Sequence, residues 1–151
     1  MDTVEDILAR ARQRAIELNL PYAGALLPRE AYRLAQEVPG ARIVDVRTRA
    51  EWEWVGRIPG AVLLEWNRYP GGALNGDFLQ QLEDAIGKPP APVMFVCRSG
   101  NRSHHAAAAA TAAGFPQCFN VLEGFEGDKD ASGHRNSKGG WRVAGLPWEQ
   151  S

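Results

Sequence analysis

Apolar residues recur at helical spacing at Val4, Ile7, Leu8, Ala11, Ala15 and Leu18. This spacing predicts an amphipathic N-terminal helix whose end is marked by Pro21 and Gly24. Pro28 precedes a second helix over about residues 29–38, with Ala31, Leu34 and Ala35 turned inward. Ile43-Val44-Asp45-Val46 has the apolar, β-branched character of a short strand, and Ala61-Val62-Leu63-Leu64 is another apolar run closed by a turn at Gly71-Gly72. Phe78, Leu79, Leu82, Ala85 and Ile86 outline a third core-facing helix. Pro89, Pro90 and Pro92 break the chain before the run Val93-Met94-Phe95-Val96. The tract Ala106 to Ala113 has the highest helix propensity in the chain and side chains small enough for close packing on a sheet, with Gly114 and Pro116 as its stop. Gln117-Cys118-Phe119-Asn120-Val121 reads as a further core strand. Short apolar strands alternating with helices predict a mainly parallel α/β sheet.

The stretch with chemical content lies between the run 93–96 and the alanine tract. Cys97-Arg98-Ser99-Gly100-Asn101-Arg102-Ser103 reads as strand, tight turn and helix start, with a cysteine at the strand's end. A thiol placed there faces turn amides and the unsatisfied N–H groups of the new helix. Those groups stabilise negative charge, so they favour the reactive thiolate and would also hold an anion bound to the sulfur. Gly100 and Asn101 tolerate positive φ, which lets successive amides converge on one point. A structural turn needs one such residue; it does not need Arg98 and Arg102 bracketing them. The segment is a candidate cysteine nucleophile, Cys97, in an anion-binding loop.

Composition narrows the field. The chain has 151 residues, a typical length for one domain. With 17 basic and 18 acidic residues the formal net charge is −1, which points to no nucleic-acid or membrane-surface partner. No run of roughly 18 apolar residues suggests a membrane span. Asp2, Glu5 and Asp6 leave the N-terminus without the basic and apolar zones of a secretory signal. Two cysteines permit a Cys97–Cys118 disulfide by arithmetic, but Cys118 lies in an apparent core strand, where a structural role is expected. A thiolate that must stay available favours a reducing compartment, hence a cytoplasmic location. His104 and His105 are adjacent, so on a helix they diverge rather than form a ligand pair, and His134 has no partner spacing; no metal and no cofactor are expected.

Several segments together resemble the rhodanese-type sulfurtransferase family. The loop 97–103 is similar to the family's active-site loop. Asp45-Val46-Arg47-Thr48-Arg49-Ala50-Glu51-Trp52 resembles its first box, an Asp-Val-Arg followed by an acidic helix start. Gly56-Arg57-Ile58-Pro59-Gly60-Ala61 is similar to its Gly-His-Ile-Pro-Gly-Ala box, with Arg57 where histidine is common, and Arg49 stands where proline is frequent. Asn120-Val121-Leu122-Glu123-Gly124-Phe125 resembles the strand and turn after the active-site helix, and 140–148 its closing segment. The resemblance runs from about Leu27 to Trp148, with the boxes in the family's order. It implies a three-layer rhodanese-like α/β fold, with a central mainly parallel sheet of about five strands flanked by helices on both faces. The expected organisation is an N-terminal helical extension at 1–22 and one domain at 23–151.

The resemblance also implies an activity. Cys97 would take a sulfane sulfur from a small anionic donor such as thiosulfate and pass it to cyanide, a thiol or a protein acceptor. Arg98, Ser99, Gly100, Asn101, Arg102 and Ser103 would bind the donor and the transferred sulfur. The loop is closer to the thiosulfate type than to the mercaptopyruvate type, which lacks the second arginine. Asp45 and Arg47 are expected to support the site as a bracing pair. Trp66 is the aromatic expected near the pocket mouth, and Phe125 is expected to line it. A sulfur carrier or docking domain that does not turn over is the alternative. A cysteine phosphatase or arsenate reductase fits less well, because only four residues separate Cys97 from Arg102, one fewer than those enzymes carry.

Overall fold

A computed structural model describes residues 2–150. Its centre is one parallel sheet of five strands in the order β1-β5-β4-β2-β3. The strands are β1 (Gly24–Leu26), β2 (Arg42–Asp45), β3 (Val62–Leu63), β4 (Val93–Val96) and β5 (Cys118–Val121). The helices are α1 (Val4–Leu18), α2 (Pro28–Glu37), α3 (Arg49–Trp54), α4 (Phe78–Ile86) and α5 (Asn101–Ala112). This is the rhodanese-like α/β architecture.

Side-chain alternation along the central strands builds two cores. Met94 and Val96 of β4, with Phe119 and Val121 of β5, pack with Ile7 and Ala11 of α1 and with Ala31 and Leu34 of α2. Val93, Phe95 and Cys97 point the other way, into a core with Phe78 and Leu82 of α4 and Ala106, Ala107 and Ala110 of α5. The helices therefore cover both faces. The three alanines of α5 are fully buried, and their small side chains let the helix lie close to β4 and β5, which holds its N-terminus beside the end of β4.

Most element boundaries fall within one or two residues of the sequence pattern. Three features go beyond that pattern. Strand β1, a Gly-Ala-Leu triplet too short to show a period, pairs at the sheet edge with β5. Helix α1, in the expected N-terminal extension, packs onto the rest of the chain: Ile7 and Ala11 enter the first core, and Arg10 and Arg14 reach the Glu30 carboxylate of α2 at 3.1 Å and 2.6 Å. Leu18 and Ala85 sit on helices as the spacing predicts but face solvent. Among the described residues no helix is long and apolar enough to cross a membrane.

The pairing of Asp45 with Val96 aligns the carboxyl ends of β2 and β4. The chain leaves β2 through Val46 and Arg47 and leaves β4 through Cys97, so the two sequence boxes emerge side by side. Ligands of open α/β sheets collect outside such strand ends.

Candidate functional site around Cys97

The thiol sits under its own loop. Cys97 is 1% exposed. The Gly100 amide donates to its Sγ at 3.1 Å, and the Ser103 hydroxyl oxygen lies 3.3 Å from the same atom. Gly100 adopts φ 111°, a left-handed conformation that turns its N–H back toward the sulfur just before α5 begins. The sulfur thus occupies the point where the turn meets the helix N-terminus. Of the loop amides from 98 to 103, Gly100's is the one bonded to the free thiol in the described structure. Arg98 and Asn101 are exposed, and Ser99 is half-buried.

The loop is held from behind by the turn that follows β5. Cys97's carbonyl accepts from the Phe125 amide at 2.8 Å, and Arg98's accepts from Glu126 and Gly127 at 3.0 Å and 3.2 Å. Gly124, with φ 64°, approaches so closely that an added Cβ would lie 2.5 Å from the Cys97 carbonyl oxygen. Phe125 itself is fully buried and lies under the Arg47 guanidinium at 4.2 Å, so it supports the loop rather than lining an opening.

The charged residues form two pairs. Asp45 and Arg47 are both fully buried and joined at 2.7 Å, and Arg47 also donates to the Gly56 carbonyl at 2.7 Å. That ties the end of β2 to the chain after α3. Arg102 binds Glu51 through two parallel bonds of 2.7 Å and 3.0 Å. Glu51 also accepts from the Thr48 amide and hydroxyl, closing a capping box at the start of α3. Burial alone would push the Glu51 carboxyl upward, but the hydrogen bonds and charge of Arg102 outweigh it and hold the group below the usual carboxylate range. The Arg102 charge is thereby compensated. Arg98 makes no side-chain hydrogen bond or ion pair among the described residues.

Beside the loop opens a cleft of about 600 Å³. Arg98, Arg102 and Glu51 line it together with Trp54, Arg68 and Tyr69. Trp54 is 80% exposed. The exposed aromatics of the cleft are therefore Trp54 and Tyr69; Trp66 packs edge-on against Phe78 at 5.1 Å, beside the second core. His104 turns to the Tyr22 hydroxyl, 2.7 Å from its Nδ1. Cys118 is a buried free thiol, raised by burial.

Four contributors were not assigned a role from the sequence. Glu51 was signalled by Thr48-x-x-Glu51, a capping-box spacing whose acid has a second use. Asn120 was signalled by its place inside an apolar strand, where a buried amide needs partners. Trp54 and Tyr69 carried no signal, because exposed aromatics become a cleft only through the fold.

A parallel α/β domain that presents a strand-end cysteine to a turn amide at a helix N-terminus is the class these features define. The model of the Rhodanese-like domain matches residues 27–131, and this chain belongs to that family. It is 36% identical over 127 residues to the uncharacterized protein RC0915 of Rickettsia conorii, across 80% of this chain and 92% of that one. The crystal structure of Rv0390 from M. tuberculosis superposes with a TM-score of 0.79 at 46% identity, covering 86% of this chain and 99% of that one. The polysulfide-sulfur transferase homodimer of Wolinella succinogenes shares the fold, with a TM-score of 0.58 at 22% identity over 100% of this chain and 95% of that one. Family membership supports a role in sulfur transfer or one related to it.

Proposed function

We propose that this protein is a sulfurtransferase that cycles through a persulfide on Cys97. The observation that carries the reading is the Gly100 amide aimed at the Cys97 sulfur at the base of a cationic loop. In the first step the Cys97 thiolate attacks the outer sulfur of thiosulfate. A Cys97–sulfur bond forms, the sulfur–sulfur bond of the donor breaks, and sulfite departs with the electron pair. The product is a persulfide whose terminal sulfur carries negative charge, which suits a loop of amides and cations. In the second step cyanide or a thiolate attacks that terminal sulfur, and the bonding pair returns to Cys97.

The loop residues divide the work. Arg98, exposed and unpaired among the described residues, draws in the anionic donor. Gly100, with the amides of Ser99 and Asn101 beside it, surrounds the added sulfur, and Ser103 contacts it from below. Arg102 contributes field and shape while paired to Glu51. Asp45 and Arg47 brace the strand end. The short loop and the compensated Arg102 suit a single sulfur better than a phosphate dianion. A cysteine that must stay reduced between turnovers also suits a reducing compartment such as the cytoplasm.

Steady-state transfer from thiosulfate to cyanide tests the reading. Turnover is expected in the natural protein and Cys118→Ser, and loss below detection in Cys97→Ser with an unchanged circular-dichroism spectrum. Turnover surviving in Cys97→Ser would overturn the assignment. Uptake of one sulfur without turnover would instead identify a carrier that hands sulfur to a protein partner.

A further inference from the structure

Asn120 interrupts an apolar strand, is 4% exposed, and has both ends of its carboxamide engaged. Its Nδ2 donates to the Gly100 carbonyl at 3.1 Å, which fixes the orientation of the amide. Its Oδ1 then lies 2.6 Å from the Ser103 hydroxyl oxygen. An amide oxygen has no proton to give, so the single hydroxyl proton of Ser103 must lie on that contact. The same hydroxyl oxygen is 3.3 Å from Cys97 Sγ, and with its one proton on the shorter Asn120 contact it can offer the sulfur only lone pairs. A thiol satisfies that arrangement by donating its own proton to Ser103. A thiolate does not, unless Ser103 swings its proton from Asn120 to the sulfur.

We propose that Asn120 is a positioning residue that acts on Cys97 through Ser103, keeping the resting sulfur protonated until the hydroxyl proton is redirected to it. The Gly100 amide pulls the other way, toward the anion. The outcome is a nucleophile that is restrained at rest, and so less open to oxidation, yet one hydroxyl rotation from activation. The inference rests on Cys97 being the reactive thiol of the proposed sulfurtransferase.

The charged and titratable groups around the sulfur do not supply this effect. Arg102 is paired to Glu51, which compensates its charge. Asp45 and Arg47 neutralise each other. Tyr22 lies by Asn120 with its hydroxyl bonded to His104. None of these reaches the Ser103 proton.

The test is alkylation of Cys97 by iodoacetamide in the full chain, with the modified peptide separated from that of Cys118. The rate at pH 7 is divided by the rate in strong alkali, which removes differences in access. Asn120→Leu frees the Ser103 proton and should raise this ratio by about threefold or more, because a hydrogen bond to a charged group outweighs the partly offsetting loss of nucleophilicity. Asn120→Asp holds the proton more firmly and adds negative charge, and should lower the ratio. In a Ser103→Ala background, Asn120→Leu should have no further effect. Both substitutions moving the ratio the same way, or Asn120→Leu acting without Ser103, would overturn the proposal. If Asn120→Leu does not fold, Asn120→Asp decides alone: an unchanged or raised ratio contradicts it. Alkylation needs no sulfur donor, so failure here is distinct from failure of sulfur transfer.

Discussion

Arg98 and Arg102 look equivalent in the sequence, since each brackets the same turn and each would attract an anion. The fold separates them by one partner. Glu51, 51 positions before Arg102, takes both hydrogen bonds of the Arg102 fork, and no local pattern relates two residues so far apart. Arg98 is left exposed, without a side-chain partner among the described residues. Arg98→Ala should therefore raise KM for thiosulfate with little change in thermal stability, lowering kcat/KM by about tenfold, the size of one lost charged contact. Arg102→Ala should lower the melting temperature as well, because it leaves a partly buried carboxylate unpaired. Steady-state kinetics beside thermal melts measure both. Equal melting temperatures for the two variants would contradict this division. Cys97 and its loop were legible because their chemistry is local: a thiol, a turn and a helix start occupy consecutive positions. Asn120 was harder to see, because its partners Gly100 and Ser103 come from another element.

At the level of elements, the Glu51–Arg102 pair is a strap between the first turn of α3 and the first turn of α5. It joins the box after β2 to the loop after β4, the two segments that flank the cleft. The pair holds the Glu51 carboxyl below its ordinary range, so the folded state binds that proton less readily than the unfolded chain does. The stabilisation is accordingly present above the unfolded value of about 4.5. It is lost as the pH falls from there through the lower folded value. Glu51→Gln should cost about 2 kcal/mol at pH 7. The difference from the natural protein should shrink as the pH drops below about 4.5, seen in denaturant midpoints across the range. A difference that stayed constant into acid would show that the strap is not ionic. The elements themselves were legible where periodicity runs long enough. The spacing of Val4 to Leu18 and of Phe78 to Ile86 marked α1 and α4. It failed for the three residues of β1, whose identity as a strand comes from pairing with β5. It also failed for Ala85, since a helical pattern marks a face but not how far the neighbouring layer reaches.

At the scale of the whole molecule, the parallel sheet brings two distant boxes to one edge and covers both faces with helices. Arg47 and Asp45 stay inside as a neutral pair, the turn at Gly124 clamps the Cys97 carbonyl, and α5 packs close through its alanines. The mainly parallel sheet of about five strands followed from the boxes that resemble the family, while its order came from the fold. The cleft did not, because Trp54 and Tyr69 come to line it only once α3 and the chain near residue 70 are placed. In the proposed function these layers serve one end, which is to hold a single sulfur as an anion above β4. Mass spectrometry of the full chain after incubation with thiosulfate tests that most directly. The account predicts a gain of about 32 Da, one sulfur, confined to the peptide that contains Cys97 and removed by cyanide. A chain that gained no mass, or that carried the sulfur on Cys118, would contradict it.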